Sequence, residues 1–346
     1  MRGLTISAHG GLDRIEFRDD LPTPSLTSDT QVRVRVAAAA LNHLDLFVVG
    51  GLPNVRIVPP WILGSDAMGT VDLVGDAVTG LDVGDRVLIN PGLSDRTCTY
   101  CLAGEQPLCP RFGILGEHVP GTMTEYVVVP AANVRRVAAD TDPAEGAALT
   151  LSTLTAWRML VTRARLLAGE HVLIWGIGGG VALACLQIAK LLGAYVTVTS
   201  GSDEKLARAR ALGADDTINH RGVDVGRAMR ERTGKRGVNV VVDSVGEATW
   251  SQSLGALGRG GRLVTCGATS GPMVTTDVRR LFWYQWSILG STMGNDAEFD
   301  VVVEEFRAGR LRPPIDRVYP LEEGRDAFAR MREGRQFGKL VLRIAP

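Results

Sequence analysis

The sequence predicts an α/β protein in which a doubly wound parallel sheet is joined to a β-rich domain. Three observations carry that reading. Short apolar strands alternate with helical segments through the middle of the chain, as repeated β-α-β units do. A glycine-rich run follows one of those strands and opens a helix. The first third instead alternates apolar and polar residues with period two, punctuated by Gly, Pro and Asp.

In order along the chain, Gln31–Val36 (QVRVRV) places Val32, Val34 and Val36 on one face of a strand. Further β-rich runs are Gly69–Val74, Arg86–Asn90 and Glu125–Pro130. The pattern changes near Ala147. Strands are expected at His171–Trp175, Tyr195–Thr199, Asp216–Ile218, Val238–Val242 and Arg262–Cys266. Helices are expected to Leu192, to Leu212, at Asp224–Thr233 and at Thr249–Leu257. Gly193, Gly213, Gly234 and Gly258 each stand where a left-handed helix cap needs no Cβ. After Gly290 the rhythm breaks, and a charged helical stretch leads to a last strand at Lys339–Arg343.

The chain has 346 residues, enough for about two domains at roughly 150 residues each. Lys and Arg total 38, balanced by 38 Asp and Glu, and aromatic residues are 5%. Neutral charge and few stacking faces argue against a nucleic-acid partner. An apolar fraction of 45% excludes disorder. The stretch Val172–Ala189 nearly reaches membrane-spanning length, but Gly178, Gly179 and Gly180 interrupt it, so a strand, a turn and a buried helix are expected and no membrane span. No secretory signal is expected at the N-terminus. Five cysteines, three of them clustered, suit a reducing cytoplasm.

The run Trp175–Ala182 (WGIGGGVA) lets backbone N–H groups approach a pyrophosphate at a helix N-terminus. Gly176, Gly178, Gly179, Gly180 and Val181 are therefore candidate cofactor residues. An NAD site usually carries an acid at the end of the next strand. Here that end is Thr199-Ser200-Gly201-Ser202, with Lys205 one turn on and His220 and Arg221 past the third strand. A small hydroxyl-rich turn with cations nearby favours the 2′-phosphate of NADP(H). Asp203 has a plainer role in the first turn of a helix capped by Ser202.

Asp95, Cys98, Cys101 and Cys109 follow D-x2-C-x2-C-x7-C spacing. Zinc accepts thiolate and carboxylate in a closed tetrahedral site, which supplies folding energy to a loop with little core. Free thiols in a loop are the alternative. Cys185 and Cys266 fall in core elements and read as packing residues.

With these residues in place the chain resembles the medium-chain dehydrogenase/reductase superfamily. The resemblance covers essentially the whole length: Asn42-His43-Leu44-Asp45, Gly64-Ser65-Asp66, the Asp95–Cys109 lobe, Thr155-Ala156, the glycine turn, Asp243-Ser244-Val245-Gly246 and Gly338-Lys339. It implies a GroES-like catalytic domain at 1–155 and 291–346, with a zinc lobe at about 91–112, and a Rossmann domain at 156–290. It implies an active cleft between them and a homodimer or homotetramer built on Rossmann sheet edges. It also implies cofactor roles for Thr155, Ser244, Val245, Gly267 and Lys339. Zinc-using alcohol dehydrogenases of this superfamily draw catalytic-metal ligands from the positions that here hold Asn42, Ser65-Asp66 and Leu151. Those residues make a poor zinc site.

Without a Lewis acid, the accessible substrates are small molecules that spread incoming negative charge themselves, namely quinones and α,β-unsaturated carbonyls. Asn42 is expected to donate to the substrate oxygen and Thr155 to position the nicotinamide, while His43 and Asp45 line or brace the site. His43 is equally well read as a buried, hydrogen-bonded structural imidazole. Glu117 and His118 read as solvated or locally bonded, the aromatic run Phe282–Trp286 as packing, and Arg158, Arg163 and Arg165 as one solvated helix face. A zinc-dependent alcohol dehydrogenase and a non-enzymatic NADPH-binding protein remain open at this point.

Overall fold

A computed structural model describes residues 1–53 and 55–344. The chain divides into two compact units, residues 1–152 with 294–346, and residues 153–293. The sequence-based boundaries lie three residues away at each junction.

In the first unit the strand Gln31–Ala40 is the spine of the main sheet. Its Val32, Val34 and Val36 are fully buried, as strict alternation requires. On the other face, the Arg33 guanidinium holds Asp72 at 2.6 Å. This strand pairs antiparallel with Asp66–Val74, with Tyr126–Pro130 and with the final strand Lys339–Arg343. Two details of register matter for the site. Ala40 faces Asp66 across one ladder, and the Leu41 N–H donates to the Leu340 carbonyl across another. Three chain regions far apart in sequence therefore meet at Asn42, which starts the helix His43–Gly50. Gly338 is required there: its φ is +120° and a Cβ would lie 2.4 Å from the Pro314 carbonyl oxygen. The strand Ile315–Pro320, parallel to Lys339–Arg343, has no counterpart in the sequence reading.

The second unit contains a six-stranded sheet, parallel throughout, ordered Asp216–Asn219, Tyr195–Ser200, His171–Ile174, Val238–Val242, Leu257–Thr265, Ser287–Gly290. This is the doubly wound order, with its topological switch between the third and fourth members of that list. Helices Gly180–Leu191, Asp203–Ala211, Val225–Arg232 and Trp250–Ala256 connect the strands. Near-continuous β-branched burial, as in Val238–Val242, marks strands covered on both faces. The α/β class read from the sequence is thus the observed one.

Three expectations need correction. Gly258 is not a left-handed cap, because the strand starts directly at Leu257. Glycine is needed there for close backbone approach, since a Cβ would lie 2.7 Å from the Arg236 carbonyl oxygen. Arg158 is buried rather than solvated, because a π-helical segment, Arg158–Arg163, changes the angular spacing that put it on one face with Arg163 and Arg165. The aromatic run splits: Trp286 is buried and stacks on Tyr284 at 5.2 Å, while Phe282 and Trp283 are about two-thirds exposed. Among the described residues no helix is long and apolar enough to cross a membrane.

Candidate functional site

In the second unit, all parallel strands end on one edge of the sheet, and the glycine turn, Ser200, Ser202, Ser244, Val245 and Gly267 follow or close those strand ends. Gly176 and Gly178 have φ of +68° and +132°, which permits the tight turn after His171–Ile174. The Gly176 N–H donates to Thr199 Oγ1 at 3.2 Å and the Ile177 N–H to the Thr199 carbonyl at 2.8 Å, tying the turn to the second strand. Gly179 precedes the helix beginning at Gly180, and Val181 sits in its first turn. A Cβ on Gly179 would meet nothing within 4 Å. The space a side chain would fill is therefore open, which is the cradle a pyrophosphate needs.

At the end of the second strand, Ser200 is buried and its Oγ accepts from the Ser202 N–H. Ser202 caps the next helix through the Lys205 N–H. Asp203, which with Glu204 stands in the first turn of that helix, has an oxygen engaged by Asn219 Nδ2 at 2.7 Å. A Cβ on Gly201 would lie 3.0 Å from Arg221 Nε and 3.2 Å from His220 Nε2, so both side chains close over the turn. Burial, and then the Arg221 charge, lower the His220 pKa. Arg221 and Lys205 supply the cations at this point. Just past the strand Val238–Val242, Asp243 is fully buried and accepts from the Val245 and Gly246 N–H groups, Thr249 Oγ1 and Ser253 Oγ. That network shapes the Ser244-Val245 turn. Gly267 follows the fifth strand, with its N–H near Thr265 Oγ1. Thr155, on the helix Pro143–Trp157, is buried and contacts Met293 Sδ at 3.7 Å.

The first unit holds a buried polar cluster. Asp66, wholly inaccessible, accepts Asn42 Nδ2 at 2.8 Å and Lys339 Nζ at 2.8 Å on one oxygen. Its other oxygen accepts Thr150 Oγ1 at 2.5 Å and the Leu151 N–H at 2.6 Å. Lys339, 4% exposed, also donates to Asn42 Oδ1 at 2.6 Å. A buried ammonium requires such a counter-charge. Lys339, expected at the cofactor, lies in the first unit, where its charge is held by Asp66 and Asn42.

Asp45 Oδ2 accepts the Asn42 N–H at 2.7 Å, so Asp45 braces the start of its helix. Burial pushes the Asp45 pKa up to about 7, and Asp66 and Glu117 add to it against the Asn42 N–H and Lys339. His43 is exposed, in edge contact with Phe47 at 6.2 Å, so it is not the buried structural imidazole. Desolvation by the surrounding protein lowers its pKa, and the Lys339 charge lowers it further, leaving a neutral ring. His118 accepts locally from the Ile114 N–H. Glu117 is half-buried, with a pKa raised by burial, and its effect on Asp45 was invisible in sequence.

The positions that would hold a catalytic zinc do not fit one. Leu151 has no side-chain donor atom, Ser65 Oγ donates to the Leu115 carbonyl at 2.7 Å, and both Asp66 oxygens already accept two donors each. The Asp95 lobe does fit a metal. The ligand atoms of Asp95, Cys98, Cys101 and Cys109 lie within 4.8 Å of one another, and three sulfurs with one carboxylate are donor types that a four-coordinate metal site can use. The N–H groups of Cys98 and Thr97 hold the Asp95 carboxyl well below the usual range. Cys109 Sγ faces the N–H groups of Asp95 and Arg111. Cys185 is fully buried and Cys266 half-buried.

Comparison with known proteins agrees with both units. Residues 28–139 match the family model "Alcohol dehydrogenase GroES-like domain", and residues 180–308 match "Zinc-binding dehydrogenase". An NAD-dependent alcohol dehydrogenase of Sulfolobus acidocaldarius is 34% identical over 321 residues, covering 91% of this chain and 92% of that one. A quinone oxidoreductase of Homo sapiens is 27% identical, covering 99% and 97%. The crystal structure of an NAD-dependent alcohol dehydrogenase superposes with a TM-score of 0.95 at 43% identity, over the full length of both chains.

Proposed function

The chain belongs to the medium-chain dehydrogenase/reductase superfamily and is an oxidoreductase, and on that premise we propose that it reduces quinones or α,β-unsaturated carbonyls with NADPH and without a catalytic zinc. The observation that carries this reading is the donor set of Asn42, Ser65, Asp66 and Leu151, in which the one carboxylate is already neutralised by Lys339.

When bound, the nicotinamide supplies a hydride, and one proton from water completes a two-electron reduction. The chain's residues do the rest. The glycine turn holds the pyrophosphate through backbone N–H groups. Ser200, Ser202, Lys205, His220 and Arg221 receive the 2′-phosphate, Ser244, Val245 and Gly267 line the nicotinamide side, and Thr155 orients the ring. Asn42 donates an Nδ2 hydrogen to the acceptor oxygen, where negative charge collects as the hydride adds to carbon. His43, neutral and exposed, passes the proton from solvent, and Asp45 keeps Asn42 in place. The Asp95, Cys98, Cys101 and Cys109 lobe binds a structural zinc. None of the five cysteines is held in a disulfide, which suits a reducing cytoplasm. The assembly is a homodimer or a tetramer built from it.

A second reading, NAD-dependent alcohol oxidation, is favoured by the names of the relatives. One assay separates them. Purified protein is mixed with NADPH or NADH and a panel of quinones and enones, and nicotinamide absorbance is followed. NADPH consumption is expected, with kcat/KM at least ~10-fold above that for NADH. Chelator-sensitive oxidation of simple alcohols, or no turnover with any acceptor, would sink the proposal.

A further inference from the structure

We propose that the Lys339 ammonium is the permanent cation of the first unit's polar cluster, standing in for a divalent metal and fixing Asn42 as the hydrogen-bond donor to the substrate oxygen. The proposal rests on the metal-independent reading above and adds a positioning residue to it.

The geometry supports it in three ways. First, charge closes without a metal. Asp66 and Lys339 form a buried pair at 2.8 Å with side chains 0% and 4% exposed, and a dication brought beside that ammonium would be repelled in a medium of low dielectric. Second, the pair settles the amide. An ammonium accepts no hydrogen bond, so the Asn42 atom 2.6 Å from Nζ must be the oxygen, and the atom 2.8 Å from Asp66 Oδ2 must be the nitrogen. Among the described residues the hydrogen bonds use one of the two Nδ2 hydrogens and leave the other to donate. Third, the ammonium on Oδ1 polarises the amide and strengthens that remaining N–H as a donor. Lys339 is itself held rigidly. Its backbone N–H donates to the Pro314 carbonyl at 2.8 Å, directly after the glycine that alone fits position 338.

Lys339→Met alone leaves Asp66 buried and uncompensated, so the decisive variant is Asp66→Asn with Lys339→Met, which removes both charges. NADPH binding by fluorescence and zinc content by elemental analysis are measured beside turnover of menadione and cyclohexenone. The neutralised variant is expected to fold, to bind NADPH as the parent does, to keep one zinc, and to lose at least ~30-fold in kcat with KM changed less than ~3-fold. In an Asn42→Ala background, adding the same pair of substitutions is expected to change kcat by less than ~3-fold, because Lys339 acts through Asn42. Retention of the parent kcat in the neutralised variant overturns the proposal, as do losses that multiply in the Asn42→Ala background. A second zinc equivalent in the unaltered protein, required for turnover, would instead defeat the metal-independent reading itself.

Discussion

Asp45 shows how a single side chain differs from what its sequence position suggests. A carboxylate in the first turn of a helix is ordinarily ionised and favoured by the helix dipole, but Asp45 is 1% exposed and its pKa is pushed up to about 7. The consequence for stability has a definite sign. From about pH 4 to about pH 7 the native state keeps Asp45 protonated while the unfolded chain ionises it, so the folded form binds more protons and stability falls as pH rises. Measured by denaturant unfolding, the parent is expected to lose roughly 4 kcal/mol relative to Asp45→Asn across that window. Parallel pH–stability curves for the two proteins would show that Asp45 is ionised in the folded state. The Asp95–Cys109 ligands were legible as candidates because their spacing is local, and Asn42, His43 and Asp45 only through the family resemblance. Lys339 and Asp66 were legible only as separate motifs, since 273 residues part them and only the sheet register joins them.

Among the elements, the glycine turn was the easiest to place, because a strand, a turn and a helix each leave their own pattern. Its residues also separate binding from folding. Gly179 has no positive φ, and a Cβ there touches no protein atom. Gly179→Ala is therefore expected to cost about 1 kcal/mol of stability or less as a helix start, while intruding on the pyrophosphate cradle. NADPH titration should show Kd raised at least ~10-fold, with thermal unfolding nearly unchanged. Unaltered NADPH affinity would place the cofactor elsewhere. Two of the strands that escaped sequence reading, Ser287–Gly290 and Ile315–Pro320, are edge strands of their sheets. With only one neighbour, such strands carry a weaker apolar pattern than a central strand such as Val238–Val242.

At the level of the whole molecule, the strand Ser287–Gly290 ends the six-stranded sheet, and its outer edge has no partner among the described residues. Ile288 is 37% exposed, and Phe282 and Trp283 stand exposed on the preceding helix Val278–Tyr284. Open backbone donors beside apolar side chains favour pairing with a second copy across a two-fold axis. Light scattering is expected to give a dimer mass or a multiple of it. Ile288→Lys should shift the population to monomer without changing NADPH affinity. A monomeric parent protein would remove the basis for this assembly.

The α/β class, the dinucleotide turn and the sulfur-rich lobe could be read from the chain alone, because each depends on short-range periodicity or on spacing within one loop. What occupies the centre of the first unit emerged only once the strands were packed. A missing thiolate and imidazole say that a metal lacks ligands, but the ammonium beside Asp66 becomes visible only when the last strand is laid against Gln31–Ala40. Charge pairing in a buried cluster is a property of distance in space, and the chain carries no local signal of it.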